Sequence, residues 1–104
     1  MSEERLEALR RMLRDRPEDA RFQFGLAVEL LNQGRTREGA QALEDYLALA
    51  QDEGNAWGRL GAARADLGEV EEAREAYARG IAEATSRGHE TLVEEFEEAL
   101  RGLA

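Results

Sequence analysis

The stretch that decides the fold opens Gly54-Asn55-Ala56-Trp57-Gly58-Arg59-Leu60-Gly61 and continues through Gly68, Glu72-Ala73, Tyr77 and Gly80 to Arg87. Slid back by 34 positions, it overlays on 20–53 without a gap. Leu60 falls on Leu26, Gly61 on Ala27 and Gly68 on Gly34. Glu72 falls on Glu38, Ala73 on Gly39, Tyr77 on Leu43 and Ile81 on Leu47. A fixed period of this length marks a chain built from copies of one supersecondary unit, each burying its apolar face against its neighbours.

The composition says what the unit is made of. Ala, Leu, Glu, Arg and Gly dominate; every basic residue is arginine, the single proline is Pro17, and cysteine is absent. Strong helix formers fill the chain and β-branched residues are few, so the domain is all-α. Apolar spacing and breaker residues predict helices over 3–14, 18–33, 36–50, 54–67, 70–86 and 89–102. Gly34, Gly68 and Gly88 stand at breaks, where a left-handed residue ends a helix at little cost. Ser2 and Thr36 are expected N-caps, and Thr91 with Glu94 has the spacing of a capping box. The first helix repeats Leu6, Leu9, Met12 and Leu13 at helical spacing. The last carries Leu92, Val93, Phe96, Leu100 and Leu103 on one stripe and Glu90, Glu94, Glu95, Glu97 and Glu98 elsewhere.

The motif Trp57-Gly58-Arg59-Leu60-Gly61, Gly68, Glu72-Ala73, Tyr77 and Gly80 resembles the tetratricopeptide repeat (TPR), and the match covers most of the chain. That resemblance implies a TPR-like helical repeat, an α-solenoid of antiparallel helix pairs with about six helices. It divides the single domain 1–104 into an N-terminal half repeat (1–17), a first repeat (20–53), a second (54–87) and a C-terminal capping helix (88–104), for which docking on a partner or on another copy is the alternative. Pro17 falls where the family often places a proline after a repeat's second helix. Three residues depart from the family pattern: Gln23 and Arg64 stand at aromatic positions, and Tyr46 at a small one. The resemblance also accounts for Gly39, Gly61 and Gly80 inside helices, where each costs up to about 1 kcal/mol against alanine. They let paired helices cross closely, with Trp57 and Tyr77 filling the gaps beside them.

Several chemistries find no support in these residues. Fourteen basic against 23 acidic side chains leave a net charge of −9. A duplex-binding surface needs the opposite sign, so no nucleic acid is expected. Arg5, Arg10, Arg11, Arg14, Arg16 and Arg21 crowd the first segment but are interleaved with six acids, which predicts a salt-bridged solvent face. Without cysteine there are no disulfides or thiolates. His89 stands alone in a turn, Ser2 and Ser86 have no base nearby in sequence, and Gln51-Asp52-Glu53-Gly54-Asn55 does not match a calcium loop. No catalytic, metal or cofactor residues are therefore expected, and the chain is read as a non-enzyme. No apolar run approaches a membrane span and residues 1–16 lack the apolar region of a secretory signal, so the expectation is a cytoplasmic protein without membrane insertion. Arginine in place of lysine points to a GC-rich, thermophilic source.

For function, the resemblance implies binding of a protein or peptide on a concave face lined by the first helix of each pair. Carried onto this chain, the candidates are Arg21, Phe24, Val28, Leu31 and Asn32 in the first repeat, and Asn55, Gly58, Arg59, Ala62, Ala65 and Asp66 in the second. Val28 and Ala62 stand where family members that grip a terminal carboxylate place asparagines. An extended or helical segment with apolar anchors and acidic flanks fits better, with Arg21 and Arg59 pairing its carboxylates. Phe24 has a purely structural alternative, packing inside. The competing role for the whole chain is a self-assembling homo-oligomeric scaffold with no peptide groove in use.

Overall fold

Six helices account for the regular structure of the described residues, 2–103 of a computed structural model, with side chains described from Glu3 onward. They are α1 (Ser2–Asp15), α2 (Ala20–Asn32), α3 (Thr36–Leu49), α4 (Asn55–Asp66), α5 (Val70–Ser86) and α6 (Glu90–Gly102). Every predicted helix is present, with ends shifted by at most two residues. The architecture is an all-α, TPR-like helical repeat. Packing groups the helices into two units, 1–50 and 51–104.

The breaks follow from backbone chemistry at three glycines. Gly34, Gly68 and Gly88 have φ of +77°, +77° and +73°. Each sits one residue beyond its helix cap, and the hydrogen bonds repeat from one to the next. The Gly34 N–H donates to the Leu31 carbonyl and the Arg35 N–H to the Leu30 carbonyl (3.0 and 2.9 Å). Gly68 and Glu69 donate to Ala65 and Arg64, and Gly88 and His89 to Thr85 and Ala84, in the same pattern. This is the Schellman arrangement, in which a left-handed residue satisfies the orphan carbonyls of a helix end.

The helix starts differ from the sequence expectation. Asp19 caps α2, its Oδ1 accepting the Arg21 N–H at 3.0 Å. Thr36 does not cap α3; it is the first helical residue, and its hydroxyl donates back to the Gly34 carbonyl at 3.5 Å. The Thr91–Glu94 capping box does not form either, because α6 starts at Glu90 and its cap residue, His89, makes no side-chain cap bond. The expected Ser2 cap lies outside the described side chains. The start of α4 is held from further upstream. Asp52, nearly buried, accepts the N–H groups of Gly54 and Ala56 at 2.9 and 2.8 Å, so the acidic turn before α4 is a backbone clasp.

In the first unit α2 packs on α3 and α1 packs on α2. Leu6, Ala27, Leu30, Ala40, Ala42 and Leu43 form its buried core. Gly39 lies under Leu31, where an added Cβ would come within 2.6 Å of Leu31 Cδ2. Gln23 replaces an aromatic without leaving an orphan amide, since its Nε2 donates across the helix pair to the Ala42 carbonyl at 3.3 Å. Two of the N-terminal arginines pair with acids of other helices, Arg5 with Glu29 (3.1 Å) and Arg10 with Glu38 (3.6 Å), while Arg21 pairs within its own segment with Asp19. In the opposite sense, Glu3 of α1 accepts from Arg35, which also binds Glu38.

In the second unit α5 packs against both α4 and α6. Ala56, Leu60, Ala63, Ala73, Ala76, Tyr77, Ala84 and Phe96 form the core. The glycines do what close crossing requires. A Cβ on Gly61 would lie 2.9 Å from three atoms of the Tyr77 ring, and one on Gly80 would lie 2.8 Å from Phe96 Cε2. Arg79 covers the Trp57 ring at 4.6 Å. Arg64, at its aromatic position, keeps its stem largely buried and binds Glu69 at 2.7 Å.

Candidate functional site

Two helix faces carry the candidate residues, and each belongs to its own unit. On α2, Arg21, Phe24, Val28, Leu31 and Asn32 follow one another at helical spacing, which puts them along one stripe. Arg21 and Asn32 are exposed; Phe24, Val28 and Leu31 are half-buried. On α4 the stripe is Asn55, Arg59, Ala62 and Asp66, all exposed, with Ala65 half-buried beside them.

The side chains on these stripes are already engaged to different degrees. Arg21 grips Asp19 through two contacts, Nε to Oδ1 at 3.3 Å and Nη2 to Oδ2 at 3.0 Å. That contact holds the Asp19 carboxyl below the usual carboxylate range and raises the arginine. A ligand carboxylate would compete with Asp19 for this guanidinium. Arg59 lies along the helix surface, its Nε donating to the Asn55 side chain at 3.1 Å. Phe24 forms a tilted ring pair with Tyr46 of α3, centroids 5.0 Å apart at 54°. Leu31 covers Gly39, so it also packs the α2–α3 pair.

One sequence candidate leaves the surface altogether. Gly58 is buried, and a Cβ there would overlap the Phe96 ring of α6. The position is closed by the last helix of its own unit. The signal was present in the 34-residue overlay. Gly58 and Gly80 stand where the first repeat has Phe24 and Tyr46, so two rings in one copy become two glycines in the next. The exchange leaves a notch that a third aromatic must fill, and Phe96 fills it.

The repeat also has a relative of known type. The chain is 30% identical over 98 residues to a TPR repeat-containing protein of Pseudomonas aeruginosa, covering 94% of this chain and 93% of that protein. The chain belongs to the tetratricopeptide repeat family. No family model matches it. As a TPR protein it has its Leu-Gly step at Leu60-Gly61, its inter-helix glycines at Gly34 and Gly68, and its aromatic at Tyr77, each in the structural position just described.

A second surface feature lies in unit 51–104. An open cleft of about 480 Å³ runs between the starts of α4 and α6, lined by Glu53, Asn55, His89, Glu90, Leu92 and Glu95 among others. No helix among the described residues is long and apolar enough to cross a membrane.

Proposed function

We propose that the chain is a non-catalytic protein-interaction module, an adaptor or scaffold of the bacterial cytoplasm that binds a peptide or protein segment on the faces of α2 and α4. In this reading, 1–17 is a half repeat, 20–53 and 54–87 are full repeats, and 88–104 caps the array. Membership of the TPR family supports a protein partner in general. The observation that carries the finer reading is the α4 stripe Asn55, Arg59, Ala62 and Asp66. Its four side chains are exposed on a helix whose opposite side, Ala56, Leu60 and Ala63, is buried in the core. The ligand is a segment with apolar anchors and acidic flanks. Within each unit taken by itself, an apolar anchor fits Val28 of α2 or Ala62 of α4, and a carboxylate pairs with Arg21, in exchange for Asp19, or with Arg59.

The test is selection from a displayed random peptide library, comparing the natural chain with the double variant Arg59→Glu/Ala62→Glu. Both positions are exposed, so the variant keeps the fold. Phe24 is a poor control because it is paired with Tyr46. Enrichment of apolar–acidic segments by the natural chain, lost in the variant, is the expected result. Equal enrichment by both, or none by either, counts against the α4 face.

A further inference from the structure

We infer that the corner where the end of α1 meets the start of α2 is a second docking site, which takes an acidic peptide segment by one apolar side chain and the carboxylates flanking it. Met12 and Phe22 form its apolar floor, and Arg11 and Arg16 supply its charge. It uses none of the residues of the α2 and α4 stripes, so it does not depend on the function proposed above.

Residues 8–16 hold four arginines and one acid, in a chain of net charge −9. The salt-bridged face expected from the sequence forms only in part. Arg10 turns to Glu38, and Arg5, nearer the start of α1, binds Glu29. Arg11, Arg14 and Arg16 are exposed and make no side-chain hydrogen bond or ion pair among the described residues. Glu7 and Asp15 stand four residues to either side of Arg11, at the spacing of a helical ion pair, and neither closes on it. The negative end of the α1 dipole favours cations here by about 0.3–1 kcal/mol. That accounts for arginines at a helix end, but not for an apolar notch left open between them.

Met12 is 43% exposed, one of two large apolar side chains left in solvent among the described residues. Beside it opens a notch of about 250 Å³, lined by Met12, Asp15, Arg16 and Phe22. The Arg16 N–H donates to the Met12 carbonyl at 2.8 Å, so the helical register carries Arg16 to one turn beyond Met12. Phe22 is half-buried, with the Arg21 guanidinium over its ring at 5.7 Å. An unbranched methionine adapts to the shape it meets, which suits an apolar anchor. The charges define the rest of the ligand. Carboxylates next to the anchor pair with Arg16 and with Arg11, the residue before Met12. Asp15, the one acid in the lining, repels a carboxylate inside the notch, so the ligand's acids belong on either side of its anchor. A negatively charged lipid surface would meet the same arginines, but the net charge of −9 opposes its approach.

Selection from a displayed random peptide library tests this with four chains: the natural one, Arg11→Gln/Arg16→Gln, Met12→Ser, and Arg59→Glu/Ala62→Glu. Every substituted side chain is exposed, and circular dichroism checks that the helices are kept. The natural chain should enrich peptides in which one apolar residue is flanked by acids. These should bind Arg11→Gln/Arg16→Gln and Met12→Ser about tenfold more weakly or worse, and Arg59→Glu/Ala62→Glu unchanged. Peptides that lose binding only in the α4 variant support the α4 face and overturn this site. The absence of any enriched peptide that depends on Arg11, Arg16 and Met12 overturns it too. Vesicles containing phosphatidylserine are the remaining probe. If they bind the natural chain and not the arginine variant, while no peptide does, the occupant is a lipid surface and the inference fails.

Discussion

At the scale of single residues, this protein is governed by where a side chain is missing. Gly39, Gly61 and Gly80 sit in helix interiors, where alanine would favour the helix, yet each has a neighbour occupying the space a Cβ would need. The neighbours differ in how far they can yield. Opposite Gly39 is the flexible end of Leu31; opposite Gly61 is the flat, buried ring of Tyr77. Gly61→Leu is therefore expected to destabilise by about 1–3 kcal/mol or more through overpacking. Urea unfolding followed by circular dichroism measures it, and an unchanged midpoint would contradict the placement of Tyr77 over Gly61. Tyr77 is also pushed above the usual phenol range, by burial first and by the Asp66 charge second. Polar residues in the interior are handled by directed bonds. Gln23 reaches the Ala42 carbonyl and Asp52 clasps Gly54 and Ala56, so neither stands as an unsatisfied group.

At the scale of elements, the two terminal helices are attached by different physics. Helix α6 packs through apolar side chains, buried Phe96 and half-buried Leu92, Val93 and Leu100, and α1 through Leu6 together with ion pairs to Glu29, Arg35 and Glu38. The Arg35 guanidinium beside Glu38 holds that carboxyl below its ordinary value. A depressed carboxylate contributes its full share of stability above the unfolded-state pKa and loses it as pH falls through the folded value. Attachment of α1 should thus weaken as pH falls below the ordinary carboxylate range and Glu38 takes up its proton. Amide protection factors at pH 6 and pH 3, in low salt, should fall for α1 more than for α2. Equal loss in both helices would mean that Leu6 alone anchors α1. These pairs are exposed, so the effect is small.

At the scale of the whole molecule, charge is unevenly distributed. Residues 51–104 carry thirteen acids against six arginines, a net −7 of the total −9. Five of the acids lie on the 13-residue helix α6. Self-repulsion of this size opposes folding and is screened as the Debye length shrinks from about 30 Å at 0.01 M to about 3 Å at 1 M salt. The melting temperature should therefore rise by a few degrees, on the order of 4–8 °C per kcal/mol of relieved repulsion, over that range. A melting temperature that falls with salt would show that the ion pairs around α1 and α3 outweigh the repulsion.

What the sequence determined by itself is the set of helices and the places where they stop. The 34-residue overlay, the helix-forming composition and Gly34, Gly68 and Gly88 predict all six helices to within two residues at each end. Those features act through local backbone energetics, which a residue carries with it wherever it is placed. The family followed from the same motif. The candidate faces on α2 and α4 were half legible: helical spacing put their residues in line, but could not say that Gly58 lies under Phe96 or that Arg21 already holds Asp19. The caps expected at Thr36 and Thr91 failed for a related reason. Side-chain oxygens at suitable spacing are common, and only the final path of the chain decides which of them meets a free N–H; here Asp19 and Asp52 do. The tertiary structure alone decided which ring fills which notch. Phe96 and Gly58 are 38 positions apart, and their contact depends on how α5 brings α6 back, a long-range outcome that no local preference encodes.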